Sequence, residues 1–291
     1  MEVDGIGRRT AVRRRATSLA EGPRAARGND ISAVDWTAPW LAPIAELGRR
    51  VVSAADWRAE LERSATATGI TTARGRPLRF VEPDAAGASP YEVHIAATGE
   101  VPTRANLHDL FNALAWLAMP RFKARLNELQ AAAIESDGIG ARRSALRDAA
   151  TLLDENSLLL VSERIDLVEQ LRRHDWHALL VDARDAWPDQ IHPRAFGHAL
   201  LEKLVRPYKA ISAHGLHVPL PAGSDRGAID AWLAEALTPE LTARDLLPLP
   251  VLGVPGWWAG NAEPRFYDDE AVFRPARGRR VAILRKPETR Q

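Results

Sequence analysis

Residues 103–128 read Thr-Arg-Ala-Asn-Leu-His-Asp-Leu-Phe-Asn-Ala-Leu-Ala-Trp-Leu-Ala-Met-Pro-Arg-Phe-Lys-Ala-Arg-Leu-Asn-Glu. At about 100° per residue they predict a long helix with two distinct faces. One face is apolar and predicts core packing: Leu107, Leu110, Phe111, Leu114, Leu117, Ala118 and Phe122. The other face mixes polar and large apolar side chains: His108, Asn112, Trp116, Met119 and Lys123. Pro120 interrupts the pattern, so we expect a Pro-interrupted helix near 107–134, either kinked or divided in two.

The start of this helix combines a cap with a candidate catalytic histidine. Asn106 is a favourable N-cap, and Asp109 stands where a capping-box carboxylate is found. His108 lies near the positive end of the helix dipole, which favours a neutral imidazole that can act as a base or a metal ligand. A partly buried histidine bonded to a nearby carbonyl would fit the same position. His108 and Asn112 are therefore candidate catalytic residues.

A second candidate lies in a later predicted helix, where His198 and Glu202 stand four residues apart on one face. That spacing suits a metal-ligating pair or a histidine oriented by a carboxylate. An ordinary surface ion pair gives the same spacing. His198 is also a candidate catalytic residue. If both histidines serve one reaction, they should lie within about 10 Å of each other.

Carboxylates and cations elsewhere complete the candidate site. Asp154 and Glu155 are further candidate metal ligands beside His198 and Glu202, although a turn would also explain Asp154. The candidate substrate-binding residues are Lys123, Arg104, Arg147 and Trp257. The sequence does not identify a cofactor, and these ligand types are compatible with a divalent metal.

The remaining chain predicts an α+β, mostly helical fold with a small antiparallel sheet. Residues 78–82 and 91–96 alternate in polarity as strands do. Residues 149–162 favour a β-hairpin that turns at 154–157, with a helix ending at Asp154 as the alternative. Further helices are predicted over 56–64, 164–173, 175–183, 193–205 and 226–237.

Composition limits the class of protein. The chain has 291 residues, a net charge of +1 and no cysteine, which excludes disulfides and thiolate chemistry and fits a cytoplasmic location. No apolar run approaches the length of a membrane helix. Residues 1–30 predict a disordered Arg-rich tail, 31–276 a single globular domain and 277–291 a basic tail. Nucleic acid is an expected partner only through these tails.

Several segments together resemble a known family: 98–104, 108–116, 120–123, 147–155, 196–199 and the Pro-rich segment ending at Trp257-Trp258. They resemble a proteobacterial family known as domain of unknown function 3025. The resemblance covers about residues 31–276 and implies one domain, but it implies no activity. The 106–123 helix also resembles that of ββα-metal nucleases, provided that His94 supplies the general base from a preceding strand.

Three functions remain open at this point. The first is an enzyme of hydrolytic or metal-assisted type with a pocket around His108 and Asn112. The second is a non-catalytic binding or regulatory domain with an exposed aromatic surface formed by Trp116, Trp257 and Trp258. The third is a nucleic-acid-binding or nuclease-like protein.

Overall fold

The computed structural model describes residues 30–137 and 144–275. The predictions for the two tails therefore lie outside the described residues, apart from Asp30. The helices are α1 (Ala45–Val52), α2 (Trp57–Thr68), α3 (Tyr91–Thr98), α4 (Leu107–Ala118), α5 (Pro120–Asp137), α6 (Ala145–Asn156), α7 (Ile165–Arg173), α8 (Trp187–Gln190), α9 (His198–Leu204) and α10 (Arg226–Ala236). The strands are β1 (Arg79–Val81), β2 (Glu100–Pro102), β3 (Ser157–Val161), β4 (His192–Ala195), β5 (Ser212–Val218) and β6 (Leu247–Pro250). The fold is α+β and mostly helical, as predicted.

The long helical stretch is divided at Met119, where φ is −135° and ψ is 62°. Pro120 then begins α5, because a proline at the first position removes only a donor that has no partner inside the helix. Asp230 of α10 caps this new helix. Its carboxylate accepts the backbone N–H groups of Arg121 at 3.1 Å and Phe122 at 2.8 Å. The predicted Pro-interrupted helix is thus confirmed as two helices.

Protein covers both faces of α4. Leu110, Phe111 and Leu114 are fully buried on the predicted core face. Asn112 and Trp116 on the opposite stripe are buried as well. Only the N-terminal end of the stripe, at His108, opens to solvent, so any chemistry of this helix is confined to that end.

The predicted hairpin at 149–162 is wrong. Residues Ala145–Asn156 form α6, capped by the Ser144 side chain, and the chain passes directly into β3. Asp154 and Glu155 continue the helix because Ala149, Ala150 and Leu153 bury one face of it.

The expected antiparallel sheet is mixed. The strand order is β4-β3-β5-β6, in which β3 runs parallel to β5 while the two outer pairs are antiparallel. Every residue of β3 is buried. A central strand covered on both faces has a continuous apolar sequence, which is why the Leu158–Val161 run did not alternate. A separate parallel pair joins β1 to β2.

The strand predicted at 78–82 is confirmed as β1, but the one at 91–96 is wrong because these residues form α3. Gly99 ends α3 with φ at 79°, a conformation that favours glycine. A Cβ at Gly99 would lie 2.2 Å from the carbonyl oxygen of Pro77. The helix therefore ends where the chain turns closely past Pro77 and enters β2.

One continuous cluster of buried apolar side chains joins these elements, from Val34 to Phe273. Its central members include Phe111 of α4, Phe122 of α5 and Leu153 of α6. The first turns of α4 and α9 and the last turn of α6 meet at the edge of this core. Among the described residues, no helix is long and apolar enough to cross a membrane.

Candidate metal centre

His108 occupies the first turn of α4, and a network of caps fixes its backbone. The Asn106 side chain accepts the backbone N–H of Asp109 at 2.7 Å, and the Asp109 carboxylate accepts that of Arg104 at 2.6 Å. Asp109 thus serves the local structure. The His108 side chain remains 39% exposed.

His198 is the first residue of α9 and lies in the interior, with 5% of its side chain exposed. Gly197 allows this placement, since a Cβ there would lie 2.4 Å from the backbone nitrogen of Ser157 and 2.5 Å from that of Asn156. The backbone N–H groups of Phe196 and Gly197 both donate to the Ser157 carbonyl at 3.1 Å. This close contact brings the start of α9 against the end of α6.

The two histidines meet edge to face. Their Nε2 atoms are 3.0 Å apart, and their ring centroids are 4.4 Å apart at an interplanar angle of 85°. The prediction that His108 and His198 lie close together is confirmed. Glu155 at the end of α6 places Oε2 3.4 Å from Nε2 of His198. Ligand atoms of these three residues, the histidine–glutamate cluster, all lie within 4.8 Å of one another.

Glu202 contacts the opposite side of the His108 ring. Its Oε2 lies 3.0 Å from Nδ1 of His108, which leaves Nε2 facing His198. Carboxylates commonly occupy this position behind metal-ligating histidines, where they fix the tautomer and ring orientation. The two residues of the i,i+4 pair on α9 therefore have different roles. His198 faces the cluster directly, and Glu202 orients His108.

A polar network lies behind His198, in which Asp154, Lys123 and Asn112 are buried and Tyr91, the outermost member, is exposed. Lys123 Nζ donates to Asp154 Oδ1 at 2.5 Å and to Asn112 Oδ1 at 2.8 Å. Asn112 Nδ2 donates to the Tyr91 hydroxyl at 3.0 Å. The Lys123 ammonium also lies 5.4 Å from the ring centroid of Trp116. These four residues form the inner network.

Burial and charge set the protonation of these groups. Burial lowers the pKa of His198 to about 3, so its imidazole is neutral at ordinary pH. Burial alone would raise the pKa of Asp154, but the charge of Lys123 and its hydrogen bond help to lower it overall. Burial and the nearby Asp154 raise the pKa of Glu155. A neutral imidazole beside carboxylates is the protonation state that a divalent metal requires.

The structure brings most of the sequence candidates together. His108, Asn112, Lys123, His198, Glu202, Asp154 and Glu155 all belong to the cluster, its outer carboxylate or the inner network. Asn112 and Lys123 are buried, so they do not face an open site as the sequence suggested.

Three candidate substrate-binding residues have other surroundings. Arg104 is exposed, and its backbone N–H donates to the Asp109 carboxylate at the start of α4. Trp257 is buried against Trp40 and lines a separate groove of about 800 Å³. Arg147 lies in the first turn of α6, two turns before Asp154.

Sequence reasoning missed three polar residues around the inner network. Tyr91 and Glu92 lie in α3, and Asn127 of α5 donates to Glu92 Oε2 at 2.6 Å. Tyr91 and Glu92 escape the sequence analysis because 91–96 alternates in polarity as a strand does, and Asn127 because its partner lies 35 residues away. Pro90 and Gly99, which flank α3 at both ends, were the available signal for a short helix.

A family model described as protein of unknown function (DUF3025) matches residues 78–277, more than half of the chain. The chain belongs to this family. His108, Glu155, His198 and Glu202 all lie within the DUF3025 match. No curated protein and no solved structure matches the chain.

Proposed function

We propose that this DUF3025 protein is a metal-dependent enzyme of hydrolytic type, with His108, His198 and Glu155 as ligands of one divalent ion. The distance of 3.0 Å between the two Nε2 atoms carries the proposal. Two histidines that share a zinc ion at about 2.0–2.1 Å place their nitrogens about 3–3.4 Å apart. Two histidines and one carboxylate are also a known catalytic ligand set.

The environment of the cluster favours catalysis over a closed structural site. Structural zinc sites are saturated by four protein ligands, whereas catalytic sites keep a position for water or substrate. Here three ligands converge, and His108 and Glu155 each retain 39% side-chain exposure. A bound divalent ion would lower the pKa of a water molecule at the open position, and that water would be the nucleophile of a hydrolysis.

The protein's own residues supply orientation. Glu202 accepts the Nδ1 hydrogen of His108 and so directs Nε2 into the cluster. Burial keeps His198 neutral, and its backbone is fixed by the contact of Gly197 with the end of α6. The proposal retains the cytoplasmic location expected from the absence of cysteine.

A metal-free general base is the second candidate, since Glu202 and His108 also have the geometry of an acid–base dyad. We favour the metal because Nε2 of His108, the atom that would take a proton from substrate, already faces Nε2 of His198. The non-catalytic binding domain with an aromatic surface has less support, because Trp116 and Trp257 are buried and Trp258 is half-buried.

The nuclease-like alternative has little support within the described residues. The helix α3 carries His94, whose Nε2 lies 3.3 Å from Glu100 Oε2. His94 therefore does not stand on a strand before α4, as the resemblance to ββα-metal nucleases required. A role for the Arg-rich tails in binding nucleic acid stays a prediction.

The test is a metal analysis of the purified protein, stripped with chelator and reloaded with Zn²⁺, Co²⁺ or Fe²⁺. We expect one ion per chain in the parent and less than a tenth of that in His108→Ala, His198→Ala and Glu155→Gln. His177→Ala is the matched control, because His177 pairs with Asp268 at 3.0 Å on the surface, outside the cluster. A parent that retains no ion, or cluster variants that retain it fully, would refute the proposal.

A further inference from the structure

The two histidines of the cluster differ on the side of the ring that faces away from it. Nδ1 of His108 lies 3.0 Å from a carboxylate oxygen of Glu202. Nδ1 of His198 is fully buried and makes no hydrogen bond of normal geometry, and the backbone of Asp154 gives the ring only a weak interaction. A buried ring nitrogen without a partner costs about 1–3 kcal/mol, so this position calls for an explanation.

The carboxylate of Asp154 lies on that side of the His198 ring. Its Oδ1 is 4.0 Å from Nδ1 of His198, about 1 Å beyond hydrogen-bond distance. The Nδ1 and Nε2 positions of an imidazole point in nearly opposite directions, and Nε2 faces His108 and Glu155. Asp154 is therefore placed behind the ring, away from the point where the three ligand atoms converge. The sequence expected Asp154 to be a metal ligand, and this geometry favours a different role.

Lys123 holds Asp154 in this position. Its ammonium donates to Oδ1 at 2.5 Å, and both side chains are more than nine-tenths buried. Asn112 accepts a second hydrogen bond from the ammonium at 2.8 Å. Lys123 can therefore neutralise Asp154 in the absence of any ligand, and a carboxylate oxygen such as Oδ1 can accept more than one hydrogen bond.

We propose that Asp154 is the outer carboxylate of His198, as Glu202 is of His108, and that Lys123 is the residue that positions it. With a divalent ion on Nε2 of His198, Nδ1 would carry the hydrogen and would donate it to Asp154. A hydrogen bond there would require the 4.0 Å distance to shorten by about 1 Å. This inference rests on the proposed metal site and assigns Asp154 and Lys123 as positioning residues, outside the ligand set and the substrate site.

Three helices, α4, α6 and α9, each contribute two residues to this arrangement. On α9, His198 is a ligand and Glu202 orients His108. On α6, Glu155 is a ligand and the adjacent Asp154 orients His198. The helix α4 supplies His108 together with Asn112, which accepts from the lysine that holds Asp154. Each helix thus supplies one ligand of the proposed metal site. Each also supplies one residue that helps to position a histidine ligand.

The test measures Zn²⁺ affinity by chelator competition and the imidazole N–H proton signals of the Zn²⁺-loaded, ¹⁵N-histidine-labelled protein. We expect Asp154→Asn to weaken Zn²⁺ binding 10–100-fold and to move the Nδ1–H signal of His198 upfield. Glu202→Gln should weaken binding to a similar degree while moving the His108 signal. A second variant, Lys123→Met with Asp154→Leu, replaces the ion pair by apolar groups, so it should fold and still lose affinity.

Asp230→Asn is the structural control, because Asp230 is a buried carboxylate whose hydrogen bonds go to the backbone at the start of α5. It should change stability and leave Zn²⁺ affinity within twofold of the parent. If Asp154→Asn binds Zn²⁺ as tightly as the parent with an unmoved His198 signal, or if Asp230→Asn loses as much affinity, the inference is wrong and the proposed metal site stands. If the parent binds no Zn²⁺, the proposed function fails and the inference fails with it.

Discussion

His108 and His198 contribute the same ring atom to the cluster from opposite environments. His108 is 39% exposed and its Glu202 partner 35% exposed, so water shares in the solvation of this pair. His198 is 5% exposed, and the Asp154–Lys123 pair behind it is 9% and 5% exposed. We call these two sides the outer side and the inner side of the cluster.

The comparison separates function from stability. Exposed ion pairs contribute about 0–1 kcal/mol, so the outer side can change without loss of the fold. Removing one partner of a buried pair costs about 3–5 kcal/mol, because the remaining charge has no solvent. Changes on the inner side should therefore lower the stability of the fold and also disturb the orientation of His198. Changes on the outer side should disturb the orientation of His108 without lowering stability.

The largest effect is expected from Lys123→Met. This variant leaves Asp154 buried without its counter-ion, and we expect a loss of about 3–5 kcal/mol in the free energy of unfolding, measured by urea denaturation. Lys123→Met combined with Asp154→Leu should recover most of that loss. Glu202→Gln is the outer-side control, with an expected change below about 0.5 kcal/mol. Equal effects of Lys123→Met and Glu202→Gln would remove the distinction between the two sides.

Gly197→Ala should have the next largest effect. The added Cβ would lie 2.4 Å from backbone nitrogen, and neither the end of α6 nor the start of β3 can move without disturbing the sheet. We expect a loss of about 2–3 kcal/mol and displacement of His198 from the cluster, visible as reduced Zn²⁺ binding. Gly223→Ala is the control, because a Cβ there meets nothing within 4 Å. If the two variants had the same stability, the close contact would not hold His198 in place.

Local patterns were sufficient to predict much of this arrangement. The apolar and polar faces of 107–123 predicted which side chains of α4 pack inside and that the helix is interrupted at Pro120. The i,i+4 spacing predicted that His198 and Glu202 share a face. The faces of 107–123 and the shared face of His198 and Glu202 each depend on one helix only. The helical repeat of 3.6 residues is therefore enough to predict them from the sequence.

The errors concern contacts between distant segments. Asp154 and Glu155 resembled a turn because their role depends on Lys123 and His198, which lie 31 and 44 residues away in the chain. The requirement for Gly197 is also tertiary: its φ of −55° is open to any residue, and only the neighbouring backbone excludes a side chain. Single-helix periodicity contains no information on such contacts.

The smallest expected effect concerns Glu92, whose carboxyl group interacts electrostatically with Asp154 and Lys123 of the inner side. Burial, together with the charge of Asp154, raises the pKa of Glu92 from 4.5 to about 7. A raised pKa means that the folded state binds this proton more tightly than the unfolded state. The stability that Glu92 contributes is therefore present below about pH 4.5 and is lost as the pH rises to about 7.

Glu92→Gln removes this dependence and leaves the Glu92 backbone carbonyl to accept from Asn127. In urea denaturation with chelator present, its stability relative to the parent should rise by on the order of 1–2 kcal/mol between pH 5 and pH 8. Glu60→Gln is the control, because a hydrogen bond from Arg63 lowers the pKa of Glu60 and keeps it ionised across that range. Its difference from the parent should be the same at both pH values. If the stability difference between Glu92→Gln and the parent were also the same at pH 5 and pH 8, Glu92 would be solvated by water. It would then not share the buried environment of Asp154 and Lys123.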